Sequence, residues 1–235
     1  MRKEFSLLLK EIPALVTTLF VMSVIMMNLL ANKTILSTEY LALDGGILIS
    51  WLSFLCMDII TMRFGPKAST KIAILAMLCN VFACIIFYIA SIIPSSAGDY
   101  SAFDSIFHST WFILLGSMIA FLASAIVNNT LNYLLGKLLN KDSKIDYTLR
   151  TSISTFIGQF IDNLLFAMIV FMFFAPIFWD GFSWTLFQCV GCAFTGAIFE
   201  SLTELLFAPL GYKIYMKWKD DGVGERYLRY IGEKR

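Results

Sequence analysis

Four carboxylates, Asp58, Asp162, Glu200 and Glu204, stand inside long apolar runs of a 235-residue chain. An acidic side chain at the centre of a bilayer costs roughly 2.5–3.5 kcal/mol on insertion scales, and packing alone gives no reason to bear that cost four times. Such groups face a bundle interior or a wetted cavity. There they can accept N–H donors from a guest, hold a proton, or knit helices together. Asp162 follows Arg150 by twelve residues, about 18 Å along a helix, which sets it near mid-depth. Gln159 and Asn163 share its face, with Thr155 a further turn below, so this face is a stripe of donors and acceptors. A second stripe runs through Cys192, Gly196, Glu200, Thr203 and Glu204. Glu200 and Glu204 are one turn apart, so two bare carboxylates there repel. A cation, a proton or a donor-rich guest is expected between or near them. Asn28, with Asn32 and Asn80, is a further cavity candidate, and Trp51 lies deep enough to face a cavity. Asp58 precedes Arg63 by five residues, an interval that does not bring two side chains onto one helix face. Asp58 is read as an anchor of the following turn or as part of an inner gate with Arg63 and Glu204.

The elements that must position these residues follow from hydropathy. Hydrophobic residues make up 58% of the chain and charged residues 15%, against about 25% charged in soluble domains. A bilayer core needs roughly 20 helical residues per crossing. Six apolar stretches meet that length: 12–31, 45–63, 71–93, 110–137, 151–175 and 184–212. The expected fold is therefore all-α, a polytopic six-transmembrane-helix bundle in a single membrane domain, with a tail over 213–235. Seventeen of the eighteen Lys and Arg fall in the ends and alternate loops on one side. These are Arg2, Lys3 and Lys10; Arg63, Lys67 and Lys71; Lys137, Lys141, Lys144 and Arg150; and seven from Lys213 to Arg235. The opposite loops carry Lys33 with Glu39, Asp44, Asp99, Asp104 and Asp180. The positive-inside rule then puts both termini in the cytoplasm. Phe64–Gly65–Pro66 predicts a tight inner reversal and Asp180–Gly181 a short outer one. Most of the five Trp fall near expected interfaces. Gly116, Ala120, Ser124, Asn128, Asn132 and Gly136 recur every fourth residue, a face that serves as a packing seam or lines a path.

Enzymatic signatures are missing. There is no P-loop and no H-E-x-x-H, and no nucleophile–base pair stands out. An enzyme is not expected, nor a cofactor, a metal or a nucleic-acid partner. Cys56, Cys79, Cys84, Cys189 and Cys192 all lie in apolar runs and read as small packing residues. His108, the single His, is expected at the surface of an outer loop.

Two segments carry a family resemblance. Trp51-Leu-Ser-Phe-Leu-Cys-Met-Asp58-Ile-Ile-Thr-Met-Arg63-Phe64-Gly65, followed by Lys67 and Ala68, resembles a second-span signature: an apolar span ending in Asp, with a Gly seven residues on. Ser154-Thr-Phe-Ile-Gly158-Gln159-Phe-Ile-Asp162-Asn163-Leu-Leu-Phe166 is similar to a second signature, a polar residue and then Asp-Thr before an apolar run. Asn28, Asn32 and Gly45–Gly46 are also similar. Order and spacing over roughly 20–215 resemble the queuosine precursor transporter family, also named the vitamin uptake transporters. Departures stand at Ser50–Trp51, where members often have Phe-Pro, at Met57, where Thr is common, and at Asn163 in place of Thr. The resemblance implies import of 7-deazaguanine bases (cyano, aminomethyl or queuine forms) through a bacterial cytoplasmic membrane. Asp162, with Gln159 and Asn163, would read the base edge, and Glu200 or Glu204 would meet a second donor. A homodimer and proton coupling stay open. So do a substrate-capturing subunit of an ATP-driven importer and a membrane scaffold without transport.

Overall fold

The computed structural model describes residues 2–139, 143–179 and 181–232. Expectations resting on Lys141, Asp180, Lys234 and Arg235 lie outside these residues. The chain runs α1 (Arg2–Glu11), α2 (Ala14–Leu30), β1 (Thr34–Ser37), β2 (Ala42–Asp44), α3 (Ile47–Phe64), α4 (Pro66–Ile92), α5 (Ser101–Leu138) and α6 (Lys144–Ala167). A π-helical segment (Met168–Phe174) leads into α7 (Ala175–Phe178), then α8 (Leu186–Asp220) and α9 (Glu225–Gly232). Among the described residues, five spans are long and apolar enough to cross a membrane: α3, α4, α5, α6 continued through α7, and α8. A sixth is completed if α1 and α2 count as one bent span.

The first expected span, 12–31, corresponds to α2, and the bend lies at its start. α1 meets α2 at 102°. Pro13 brings no N–H, and its ring excludes the carbonyl four residues back, so α1 cannot run on through it and α2 begins just after it. The 17 residues of α2 rise about 26 Å. α1 lies across the end of the bundle, with Leu8 and Ile12 buried in the core and Lys3 and Lys10 exposed.

α6 packs between α5 and α8, and α3 bridges α2 and α8. α4 closes the bundle against α5. The outward faces carry exposed Leu15, Leu78, Phe82, Ile85, Phe173, Phe187 and Leu206, the composition a lipid-facing surface requires. The interior holds the polar groups instead. α5 begins nine residues before its expected start, so His108 lies on this helix, exposed, with its ring 5.0 Å from that of Tyr88. Trp184 and Trp218 are buried inside the protein, whereas Trp111 is exposed.

The fifth span is not a regular helix to its end. Pro176 has no N–H to return to the turn before it, and its ring crowds the preceding carbonyls. The chain widens into π-turns over Met168–Phe174, the type of irregularity such a conflict produces. The carbonyl of Phe171, which Pro176 cannot serve, accepts the backbone N–H of Trp184 at 3.1 Å. The two rings stack at 4.0 Å. This clasp ties the far end of the α6 span to the start of α8.

Two other joints fix the ends. Gly65 takes φ +89°, which side chains rarely adopt, and Pro66 starts α4 directly after it. Asn129 of α5 locks this reversal: its Oδ1 accepts from Thr61 at 2.9 Å and Ser69 at 3.1 Å, and its Nδ2 donates to Thr70 at 3.2 Å. At the other end, the short antiparallel hairpin β1–β2 pairs Ser37 with Ala42 and Thr34 with Asp44. Gln188 of α8 donates to the Thr38 carbonyl at 2.8 Å. No alternating pattern announced these strands.

Asn129→Ala removes a partner from two buried hydroxyls and is expected to lower stability by about 1–3 kcal/mol. Asn80→Ala, at a buried amide nitrogen without a hydrogen bond, is expected to cost less. Denaturant unfolding of both variants in detergent gives the comparison, and equal losses would remove Asn129 as the lock.

Candidate functional site

The polar residues of the interior gather into an upper cavity, a packed cluster beneath it, and a vestibule at the basic end. The upper cavity is built from α2, β2, α3, α5, α6 and α8, with a volume of about 40 Å³. That admits water but no ring system without side-chain movement. Asn28, Asp44, Ser50, Ser117, Asp162, Asn163 and Glu200 supply its polar wall, and Phe166 an aromatic one.

Glu200 is fully buried and held from two sides. The Ser50 hydroxyl donates to Oε1, and the Asn163 amide donates to Oε2 at 2.9 Å. Gly196, one turn before Glu200, leaves the space that the Asn163 amide fills. Asp162 accepts from the Ser124 hydroxyl at 3.1 Å. Asn28 donates to the Val24 carbonyl at 3.1 Å while lining the cavity. Asp44 caps the start of α3, taking the Gly46 N–H at 2.7 Å. Burial pushes its carboxyl up from 3.8 to about 6, with the Gly46 hydrogen bond offsetting part of the rise. Asp44 thus adds a third carboxylate to a cavity where the sequence pointed to Asp162 and Glu200. The signal was its place two residues before Gly46, at the edge of an apolar span.

Below lies a buried polar cluster centred on Asp58. Asn128 donates to Asp58 Oδ1 at 2.9 Å and Thr155 to Oδ2 at 3.3 Å. Glu204 lies fully buried within hydrogen-bonding reach of Asp58 and Thr155. Glu200 and Glu204, neighbours on α8, therefore serve different compartments. Gln159 is fully buried, and both its amide atoms lack a partner among the described residues. It does not line the upper cavity.

Arg150 forms the floor. It was read as an inner loop charge, and the structure buries it to 2% exposure. Its Nε donates to Asn132 Oδ1 at 3.1 Å, and Nη2 donates to the same oxygen. Gly136 makes this possible, because any Cβ there would occupy the guanidinium's place. Nothing in the residue pattern points to this burial, since a helix-end Arg ordinarily reads as solvated.

Arg150 also lines a vestibule of about 490 Å³ at the basic end, with Glu4, Arg63, Lys67, Tyr133 and Tyr227. Glu4 is paired there with Lys71 at 2.5 Å. Arg63 makes no pair with Asp58; its Nε donates to the Val223 carbonyl at 2.6 Å and ties the loop before α9. Trp51 stands away from the cavity, stacked on Phe207 at 4.4 Å. The five cysteines are unpaired.

Residues 44–214 match the family described as "Putative vitamin uptake transporter". The chain belongs to this family. It is a multi-pass membrane protein of a transporter class that moves small molecules. No curated protein and no solved structure matches it. The matched stretch carries Asp44, Asp58, Asp162, Glu200 and Glu204, together with Arg150.

The folded protein holds the Asp44 proton to about pH 6, while an ordinary carboxyl releases it at 3.8. This group's contribution to stability is therefore largest in acid and declines as pH rises from about 4 to 6. Asp44→Asn keeps an oxygen for Gly46 and should flatten that part of the curve. Thermal unfolding in detergent from about pH 4 to 7 checks this; an unchanged slope would place Asp44 in bulk solvent.

Proposed function

We propose that the chain imports 7-deazaguanine bases, the cyano and aminomethyl precursors of queuosine or queuine, across a bacterial cytoplasmic membrane. The observation that carries this reading is the upper cavity, where Asp44, Asp162 and Glu200 share one wall with Asn28 and Asn163. A base of this class presents a ring N–H and an exocyclic NH₂ on one edge. A carboxylate accepts both in a two-bond fork. Asp162 is assigned that role, because the Ser124 hydroxyl takes one lone pair of Oδ1, leaving the second lone pair of that oxygen and Oδ2 for the two donors of the guest. Asn163 and Glu200 meet the remaining polar groups, and an aminomethyl cation finds a second carboxylate close by. Phe166 supplies a flat apolar surface for the ring.

Family membership supports a transporter of small molecules, and the carboxylate wall supports a donor-rich guest. The orientation rests on charge. Arg63, Lys67 and Arg150 come together at the vestibule, beside α1 and α9, so that end, with both termini, is assigned to the cytoplasm. The upper cavity then opens toward the outside and the vestibule toward the inside. Opening the upper cavity far enough to admit a base is the task of the hairpin and of the α6–α8 clasp.

Purified protein titrated with cyano, aminomethyl and unsubstituted 7-deazaguanine should bind at least one of them. Asp162→Asn, which replaces an acceptor by a donor, should weaken binding at least tenfold while leaving the melting temperature close to the parent's. Uptake into liposomes by the chain alone separates a self-sufficient carrier from the capturing subunit of a larger machine. Binding of none of the three bases by the parent protein contradicts the assignment.

A further inference from the structure

The vestibule, at about 490 Å³, has room for a ligand, and its wall carries an excess of one charge sign. Three cations line it, Arg63, Lys67 and Arg150, against one acid, Glu4. Glu4 is already paired with Lys71, which stands outside the lining, and it accepts from the Tyr227 hydroxyl at 3.4 Å. None of the three cations forms an ion pair among the described residues.

Their donors are only partly used. Arg63 gives Nε to the Val223 carbonyl, and its two terminal nitrogens make no hydrogen bond among the described residues. Lys67 is exposed and has neither hydrogen bond nor ion pair there. Arg150 gives Nε and Nη2 to Asn132, while Nη1 is buried without an acceptor. Asp58 faces Arg150 from the packed cluster, so Arg63 and Lys67 are the least compensated of the three. The 27-residue helix α4 also begins in this wall, at Pro66 and Lys67. The partial positive charge of its N-terminal end adds to theirs. Such a wall repels a cation and rewards an anion, and guanidinium with ammonium donors suits the oxygens of a phosphate.

Depth and apolar lining narrow the source. α3 ends and α4 begins at this level, so two spans terminate where a bilayer's headgroups lie. Half-buried Leu228 and Ile231 of α9 line the same cavity, an aliphatic surface beside the cations. Basic pockets between membrane helices at this level take anionic headgroups.

We infer that the vestibule is a phosphate-binding site filled by an anionic phospholipid of the surrounding membrane. The terminal nitrogens of Arg63 and the Lys67 ammonium hold the phosphate oxygens at the rim, with Arg150 deeper in the wall. The glycerol and first methylenes lie on Leu228 and Ile231. The occupant thereby bridges the α3–α4 reversal to α9. This site is separate from the upper cavity and does not depend on what that cavity carries.

The test is native mass spectrometry of the full chain, given equal amounts of phosphatidylglycerol and phosphatidylcholine with matched acyl chains. The parent should retain the anionic lipid over the zwitterionic one by about tenfold, and Lys67→Gln should cut that preference about fivefold. Lys67→Gln is the decisive variant, because no hydrogen bond or ion pair is lost with it. Adding Arg63→Gln should lower the preference further. Lys213→Gln removes an exposed cation of α8 outside the vestibule and should keep the parent's preference. Equal retention of the two lipids by the parent overturns the site, as does an equal loss of preference in Lys67→Gln and Lys213→Gln. Glycerol phosphate added in excess tests the source. Its failure to displace the lipid supports a membrane ligand, and its retention by a parent without lipid preference overturns the lipid in favour of a soluble phosphate ester.

Discussion

A carboxylate among lipid-surrounded helices must find its donors inside the bundle, and most of this structure follows from how that is done. α5 is the principal donor rail. Ser124 reaches Asp162, Asn128 reaches Asp58, and Asn132 takes the guanidinium of Arg150. These three residues come from different depths of one helix face, so they set the heights at which α3 and α6 can lie. Asn129, one residue around the helix, fastens the α3–α4 reversal. Loss of this rail would take the hydroxyl donor from Asp162 and the amide donor from Asp58, a cost no apolar packing replaces.

The same rail explains why the interior is polar and yet divided. Glu200 is held on both oxygens and Asp162 on one, while Gln159 and Nη1 of Arg150 make no hydrogen bond among the described residues. Closed groups give a defined resting cavity. The outer joints serve this arrangement: the Trp184–Phe171 clasp forms where Pro176 denies a helical hydrogen bond, and the hairpin docks on α8 through Gln188. Both hold the upper end by a small number of contacts.

Much of this was legible in the sequence. Apolar length marked the helices, because lipid imposes it, and buried acids marked the interior. Asp162, Asn163, Glu200 and Asn28 come together in one cavity. What stayed hidden depended on tertiary contact. Arg150 looks like a helix-end cation until Gly136 is known to lie against it. Asp44 looks like a loop charge until the hairpin folds it over the start of α3. Glu200 and Glu204 look like one site because they share a helix face, but the helices on either side divide them. Trp51 looks central by position, and its ring turns instead to Phe207. Pro13 and Pro176 were visible, but the 102° bend and the π-turns they cause depend on what packs around them.

The central claim is that the upper cavity and the vestibule open to opposite sides of the membrane, with the buried cluster of Asp58 between them. Single cysteines at Ser50 and at Asn132, in a chain cleared of its five native cysteines, report on it through labelling by a membrane-impermeant thiol reagent added to either side. The account predicts labelling at position 50 from the outer side, reduced by a bound deazaguanine, and at position 132 from the inner side. Labelling at position 50 that ignores the ligand, or labelling that only a lipid-soluble reagent achieves at both positions, would contradict it.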